Sequence, residues 1–139
     1  MICTFVAKAQ QRYPVHWTIN NKKLSANTYE LHFMAIIDQP WHIYAQDNNE
    51  DYAMPTAFSF VPNADYELSG KPKEVGKLQQ ETISGINVKY YQDTVDFVQV
   101  VTLKKGTAKI SGKIAYMACT ERCLPEAERE FHLVIGDDN

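Results

Sequence analysis

The chain has 139 residues, enough for one domain whose core stands without cross-links. Its formal net charge is −3 and it has no Lys/Arg-rich run, so the electrostatic footprint of a nucleic-acid binder is missing. No apolar stretch approaches the roughly 18 residues of a membrane span, and eight Tyr within an aromatic content of 12% favour strands over helices.

The N-terminal segment MICTFVAKAQQ opens on an apolar run, Ile2 to Ala7. Ala7-Lys8-Ala9 follows, a small-x-small pattern of the signal-peptidase type, and then a polar Gln10-Gln11. Residues 1–9 read as the remnant of a secretory signal, with a single domain over 10–139. On that reading Cys3 is lost on maturation. The remaining cysteines, Cys119 and Cys123, then sit in a compartment that permits disulfides. The other reading is the ordinary N-terminus of a cytosolic protein.

Val15 to Ile19 predicts a short strand ended by Asn20-Asn21. Thr28 to Ile37 alternates, with Tyr29, Leu31, Phe33, Ala35 and Ile37 on one face. Pro40 leads into a strand over Trp41 to Ala45, and the acidic run Gln46 to Tyr52 reads as a solvated loop. Thr56 to Val61 is a strand between two prolines. Tyr66 to Leu68 stops at Ser69-Gly70. Ile86 to Tyr91 and Thr94 to Leu103 flank a tight turn at Gln92-Asp93, and Lys104-Lys105-Gly106 reads as a further hairpin turn. Thr107 to Met117 places Ile110, Gly112, Ile114 and Tyr116 on one face. Glu130 to Ile135 closes the chain, with His132 facing outward. Eight or nine short strands without a helical period predict an all-β fold, an immunoglobulin-like antiparallel β-sandwich. Trp17 and Trp41 read as packing residues.

The stretch YMACTERCLPE carries Cys119 and Cys123, three residues apart, where the penultimate strand runs out. It admits three readings: a structural staple, half of a metal site, or a disulfide that opens and closes. A loop this short constrains the unfolded chain less than a long one, which weakens the staple. Zinc wants four ligands, and the scattered His16, His32, His42 and His132 supply no second pair, so no metal and no cofactor is expected. Exchange needs two cysteines in reach, one accessible and able to form a thiolate. Arg122 favours a Cys123 thiolate and Glu121 opposes it. Pro125 stiffens the exit. The C-x-x-C motif and βαβ pattern of thioredoxin-like enzymes are absent.

Several segments in order resemble one family. They are Trp41-His42-Ile43-Tyr44, then Tyr66 to Lys71, then Tyr90-Tyr91-Gln92-Asp93, then Gly112 to Cys119 with Cys123-Leu124-Pro125. The family is the N-terminal periplasmic domain of the DsbD thiol:disulfide interchange protein, in the form common in Bacteroidetes-like bacteria. The resemblance runs from about Tyr13 to Ile135. It implies an immunoglobulin-like domain in the periplasm whose cysteine pair carries electrons, a protein-disulfide reductase component. Cys119 and Cys123 match the redox pair, with Cys123 as the cysteine that forms the mixed disulfide. His42 and Tyr44, with Leu124 and Pro125, match the lining of the site. Glu81, Thr82, Ile83 and Ser84 fall where the family carries a cap loop.

The implied donor is a thioredoxin-like domain, and the implied acceptor a disulfide isomerase or a cytochrome c maturation factor. Three positions depart from the family: the cysteine spacing is shorter, Ile83 stands where an aromatic is common, and Glu126 stands where a second proline is common. No membrane or thioredoxin-like domain follows, so a stand-alone module would draw electrons from a separate DsbD-like membrane protein. The competing reading is a secreted, non-catalytic immunoglobulin-like binding module with a structural disulfide.

Overall fold

The computed structural model describes residues 13–136. The signal remnant at residues 1–9, with Cys3, lies outside the described residues. Every regular element among them is a strand: β1 (Val15–Lys23), β2 (Thr28–Ile37), β3 (His42–Tyr44), β4 (Ala57–Phe60), β5 (Tyr66–Gly76), β6 (Gln79–Ile83), β7 (Ile86–Tyr91), β8 (Thr94–Leu103), β9 (Thr107–Tyr116), β10 (Ala118–Cys119) and β11 (Ala127–Gly136). All strand pairs are antiparallel, in three sheets of order β1-β2-β8-β5, β10-β3-β7-β6 and β11-β9-β4. The architecture is an immunoglobulin-like antiparallel β-sandwich, as the alternation predicts.

Period-two patterning places the core. Leu31, Phe33 and Ala35 of β2, Phe97 and Val101 of β8, and Ile110 and Ile114 of β9 are all fully buried, while their neighbours face out. Rings close the gap between the sheets. Phe33 lies 4.9 Å from Phe131 and 5.2 Å from Phe58, and Phe58 lies 5.1 Å from Phe97. Trp17 packs beside Tyr116 at 5.3 Å, a packing residue as expected. His132 faces solvent, its side chain 77% exposed.

Four features differ from the sequence reading. First, β1 runs on through Asn20-Asn21, because both residues pair with β2 opposite His32 and Leu31. Second, β5 does not end at Ser69-Gly70. Its register with β8 shifts between Ser69 and Lys73 and pairing then resumes. The buried Gln99 amide donates to the carbonyls of Gly70 at 3.2 Å and Val100 at 2.9 Å, so the irregular backbone keeps its partners. Third, Gln79–Ile83 is a strand. Fourth, the turns at Gln92-Asp93 and Lys104-Gly106 do not close hairpins. Each carries the chain from one sheet to another, since β7 pairs with β3 and β6, β8 with β2 and β5, and β9 with β4 and β11.

Candidate functional site

The small sheet β10-β3-β7-β6 positions the cysteines. Cys119 pairs with His42 and Ala118 with Ile43, while Tyr44 pairs with Tyr90 and Val88 with Glu81. Cross-strand partners share a face and successive residues alternate. One face therefore carries Ala118, Ile43 and Tyr91, which join the main core. The other carries Cys119, His42, Tyr44, Tyr90, Val88 and Glu81. On that second face Cys119, Tyr44 and Val88 form a separate buried cluster with Ala53, and Ile86, Tyr90 and Met117 pack against it.

The two cysteines form a disulfide, with an S–S distance of 1.99 Å and a Cα–Cα distance of 4.0 Å. It closes the loop Thr120-Glu121-Arg122. Within the loop the Thr120 N–H donates to the Arg122 carbonyl, and the Leu124 N–H donates to the Ala118 carbonyl just outside it, both at 2.9 Å. The partners are unlike in access: Cys119 is 1% exposed, whereas Cys123 is an exposed residue. The solvent-facing side of the disulfide is therefore that of Cys123, with Cys119 buried behind it.

His42 packs against Tyr90 with ring centres 4.7 Å apart and planes tilted by 46°, and it shares a 3.3 Å hydrogen bond with the Tyr44 hydroxyl. Burial holds the His42 imidazole below its usual range, with Glu81 pulling the other way. Burial raises the Tyr44 phenol, and the charges of Glu81 and Tyr90 add to the effect. Both rings are thus neutral near pH 7, so the aromatic part of the wall beside Cys119 carries no charge, with Glu81 on the same face. The main chain of Tyr44 is fixed from behind, where its carbonyl accepts the buried Thr56 hydroxyl at 2.6 Å.

The remaining expected site residues divide. Leu124 packs against the main core, and Pro125 is exposed. Glu81, Thr82 and Ile83 belong to β6, and Ser84 with Gly85 forms the tip of the β6–β7 hairpin, both at positive φ (52° and 81°). Only Glu81 among the four is electrostatically coupled to His42 and Tyr44. Ile83 is 44% exposed. Two residues carry more than the sequence indicated. Tyr90 faces the cysteine cluster, a placement its pairing with Tyr44 dictates. Tyr13 bonds both flanks of the cysteine loop, and no local pattern marked it. Among the described residues no group of three or more His, Cys, Asp or Glu is placed to hold a metal ion, and no helix is long and apolar enough to cross a membrane.

No family model matches the chain, and no curated protein matches it. Solved structures do. The N-terminal periplasmic domain of ScsB from Proteus mirabilis aligns with a TM-score of 0.58 at 14% identity, over 86% of this chain and 44% of that one. The chain thus spans less than half of that structure's length. The reduced form of the DsbD N-terminal domain from Neisseria meningitidis aligns with a TM-score of 0.54 at 12% identity, over 86% of both chains. At such identities the likeness is one of fold, and it is to the same kind of domain that the sequence motifs resemble.

Proposed function

We propose that the chain is a periplasmic thiol–disulfide exchange module that passes reducing equivalents through Cys119 and Cys123. The observation that carries this reading is the unequal pair: a disulfide at a sheet edge, one cysteine exposed and the other sealed in a small aromatic cluster. The fold shared with DsbD and ScsB N-terminal domains supports it.

In the reduced protein the Cys123 thiolate attacks a partner disulfide. A bond forms between Cys123 Sγ and one partner sulfur, and the other partner sulfur leaves as a thiolate that takes a proton from water. Cys119 then loses its proton, attacks Cys123 Sγ and expels the second partner sulfur. Two electrons have moved, leaving the partner a dithiol and the pair a disulfide. A thioredoxin-like donor runs the same steps in reverse to reload the pair, drawing on a separate DsbD-like membrane protein. The acceptors are periplasmic, of the disulfide isomerase or cytochrome c maturation kind. Leu124 and Pro125 fix the exit of the loop. The hairpin bearing Glu81, Thr82, Ile83 and Ser84, together with Tyr44 and His42, restricts approach to a docked partner.

The test is the reduction potential of the pair, by equilibration against thiol–disulfide buffers. Exchange proteins lie at roughly −120 to −270 mV, and structural disulfides below about −300 mV. A value in the first range is expected. A value below the second makes the disulfide an inert staple and the domain a binding module.

A further inference from the structure

The Tyr13 hydroxyl touches both flanks of the cysteine loop. It accepts the N–H of Ala118, the residue before Cys119, at 2.9 Å. It donates to the carbonyl of Pro125, two residues beyond Cys123, at 3.0 Å. The phenol is anchored independently of the loop. Its ring stands edge-on to Tyr116 at 5.5 Å and packs against the main core. The next residue, Pro14, accepts the Asp38 N–H at 2.9 Å, and β1 begins at Val15. The single hydroxyl proton goes to Pro125, so the bridge exists only while the phenol is neutral. Burial, the largest influence on it, raises its pKa and keeps it so.

We propose that Tyr13 is a positioning residue for the exchange site, whose hydroxyl holds the two flanks of the loop together when the disulfide is open and so keeps Cys119 in range of Cys123. The inference rests on the exchange reading above. Its physical basis is linkage. The disulfide and the Tyr13 bridge order the same few residues, and whichever forms first lowers the entropic cost of the other. With the sulfurs joined, the bridge adds little order. With the sulfurs apart, the bridge and the Leu124 to Ala118 main-chain bond hold the loop in shape. The coupling is reciprocal, so losing the bridge must weaken disulfide formation. Chemically, the bridge raises the effective concentration of Cys119 at Cys123.

The experiment compares the full chain with its Tyr13→Phe variant, both carrying Cys3→Ser so that only the pair reports. Phe keeps the ring that packs on the core and removes only the hydroxyl. The disulfide-forming equilibrium constant moves by the difference in the bridge's worth between the two redox states, so a hydrogen-bonded bridge worth about 1 kcal/mol predicts a fall of up to about five-fold. That is a potential up to about 20 mV more positive. A chromogenic aromatic disulfide reads the kinetics. The first coloured thiolate, released by Cys123, should appear at an unchanged rate. The second, released when Cys119 resolves the adduct, should slow by up to about the same five-fold factor.

Tyr66→Phe is the matched control. It also loses a hydroxyl-to-carbonyl bond, to Val61 at 2.6 Å, but away from the cysteines, so it should lower stability without moving the potential. An unchanged potential and an unchanged second release in Tyr13→Phe overturn the proposal. The potential of the parent protein judges the exchange reading, and the difference between parent and variant judges Tyr13, so the two failures are told apart.

Discussion

Cys119 is buried and Cys123 is exposed, and the proposed roles follow that difference. A sulfur in a sealed aromatic cluster cannot reach a partner protein's disulfide, whereas one on an exposed residue can. Replacing Cys119 with Ala should therefore leave attack intact and remove resolution. Covalent adducts through Cys123 should accumulate on non-reducing gels, and Cys123→Ala should accumulate none. Adducts of equal yield in both variants would contradict the assignment. Two histidines near and far from the site titrate in opposite senses. His32, bonded to Asp96 at 2.8 Å and Glu30 at 3.0 Å, has its pKa raised chiefly by Asp96. Its contribution to stability is complete below the unfolded value of about 6.5 and is lost as pH rises through the folded value. His42 is lowered by burial, so it costs stability as pH falls below about 6.5. Denaturation midpoints across pH should show His32→Gln destabilising mainly on the acid side, by about 1 kcal/mol. His42→Gln should instead flatten the acid-side loss. A His32→Gln effect that grows with pH would contradict the sign.

Elements show where pattern and pairing part company. Ser84 and Gly85 form a two-residue turn with both φ positive, the geometry that matches the twist of a hairpin. A side chain at Gly85 meets no atom but would sit at φ 81°, so Gly85→Ala should cost about 1 kcal/mol through backbone strain alone. Gly112 is the opposite case. A Cβ there would land on the Ser59 carbonyl and lie 2.8 Å from the Phe131 ring, so Gly112→Ala must push β4 off β9. A cost of about 1–3 kcal/mol is expected from thermal or urea melts. If Gly112→Ala proves no more costly than Gly85→Ala, this view of β4 packing is wrong. The same elements explain what the sequence revealed. β2 and β8 were legible because their inward residues are buried and, Gln99 apart, apolar. β6 was not, because Gln79–Ile83 is mostly exposed on both faces and owes its form to pairing with β7. Glycine at position 70 reads as a stop, yet Gln99, far along the chain, reaches the bulge and lets β5 continue. The pairing of Cys119 with Cys123 was legible from their spacing, whereas the placement of His42 and Tyr44 beside them came only from the family resemblance. Tyr13 was not legible, since its partners lie 105 and 112 residues away.

Across the whole molecule, the buried cysteine of the pair is set apart from the main core. The main cluster spans the three sheets through Phe33 and Phe97, Ile110 and Phe131, and Ile43 and Tyr91, whereas Cys119 belongs to a second cluster on the outer face of the small sheet. The disulfide bridges residues only four apart. The chain-entropy expression gives such a loop about 2 kcal/mol, against about 4.7 kcal/mol for a hundred-residue loop. A domain of this size has about 5–15 kcal/mol in total. On this reckoning the domain stays folded with its disulfide open, as the proposed exchange role requires. Adding a thiol reductant should lower the melting temperature by less than about 10 °C and keep a single cooperative transition. Phe33→Ala, which empties the centre of the ring cluster, should cost about 3–5 kcal/mol in either redox state. The two losses should also add, because the sites share no partner. If reduction alone abolishes cooperative unfolding, the disulfide holds the fold together, and the proposed exchange role, which needs the pair to open in every cycle, is overturned.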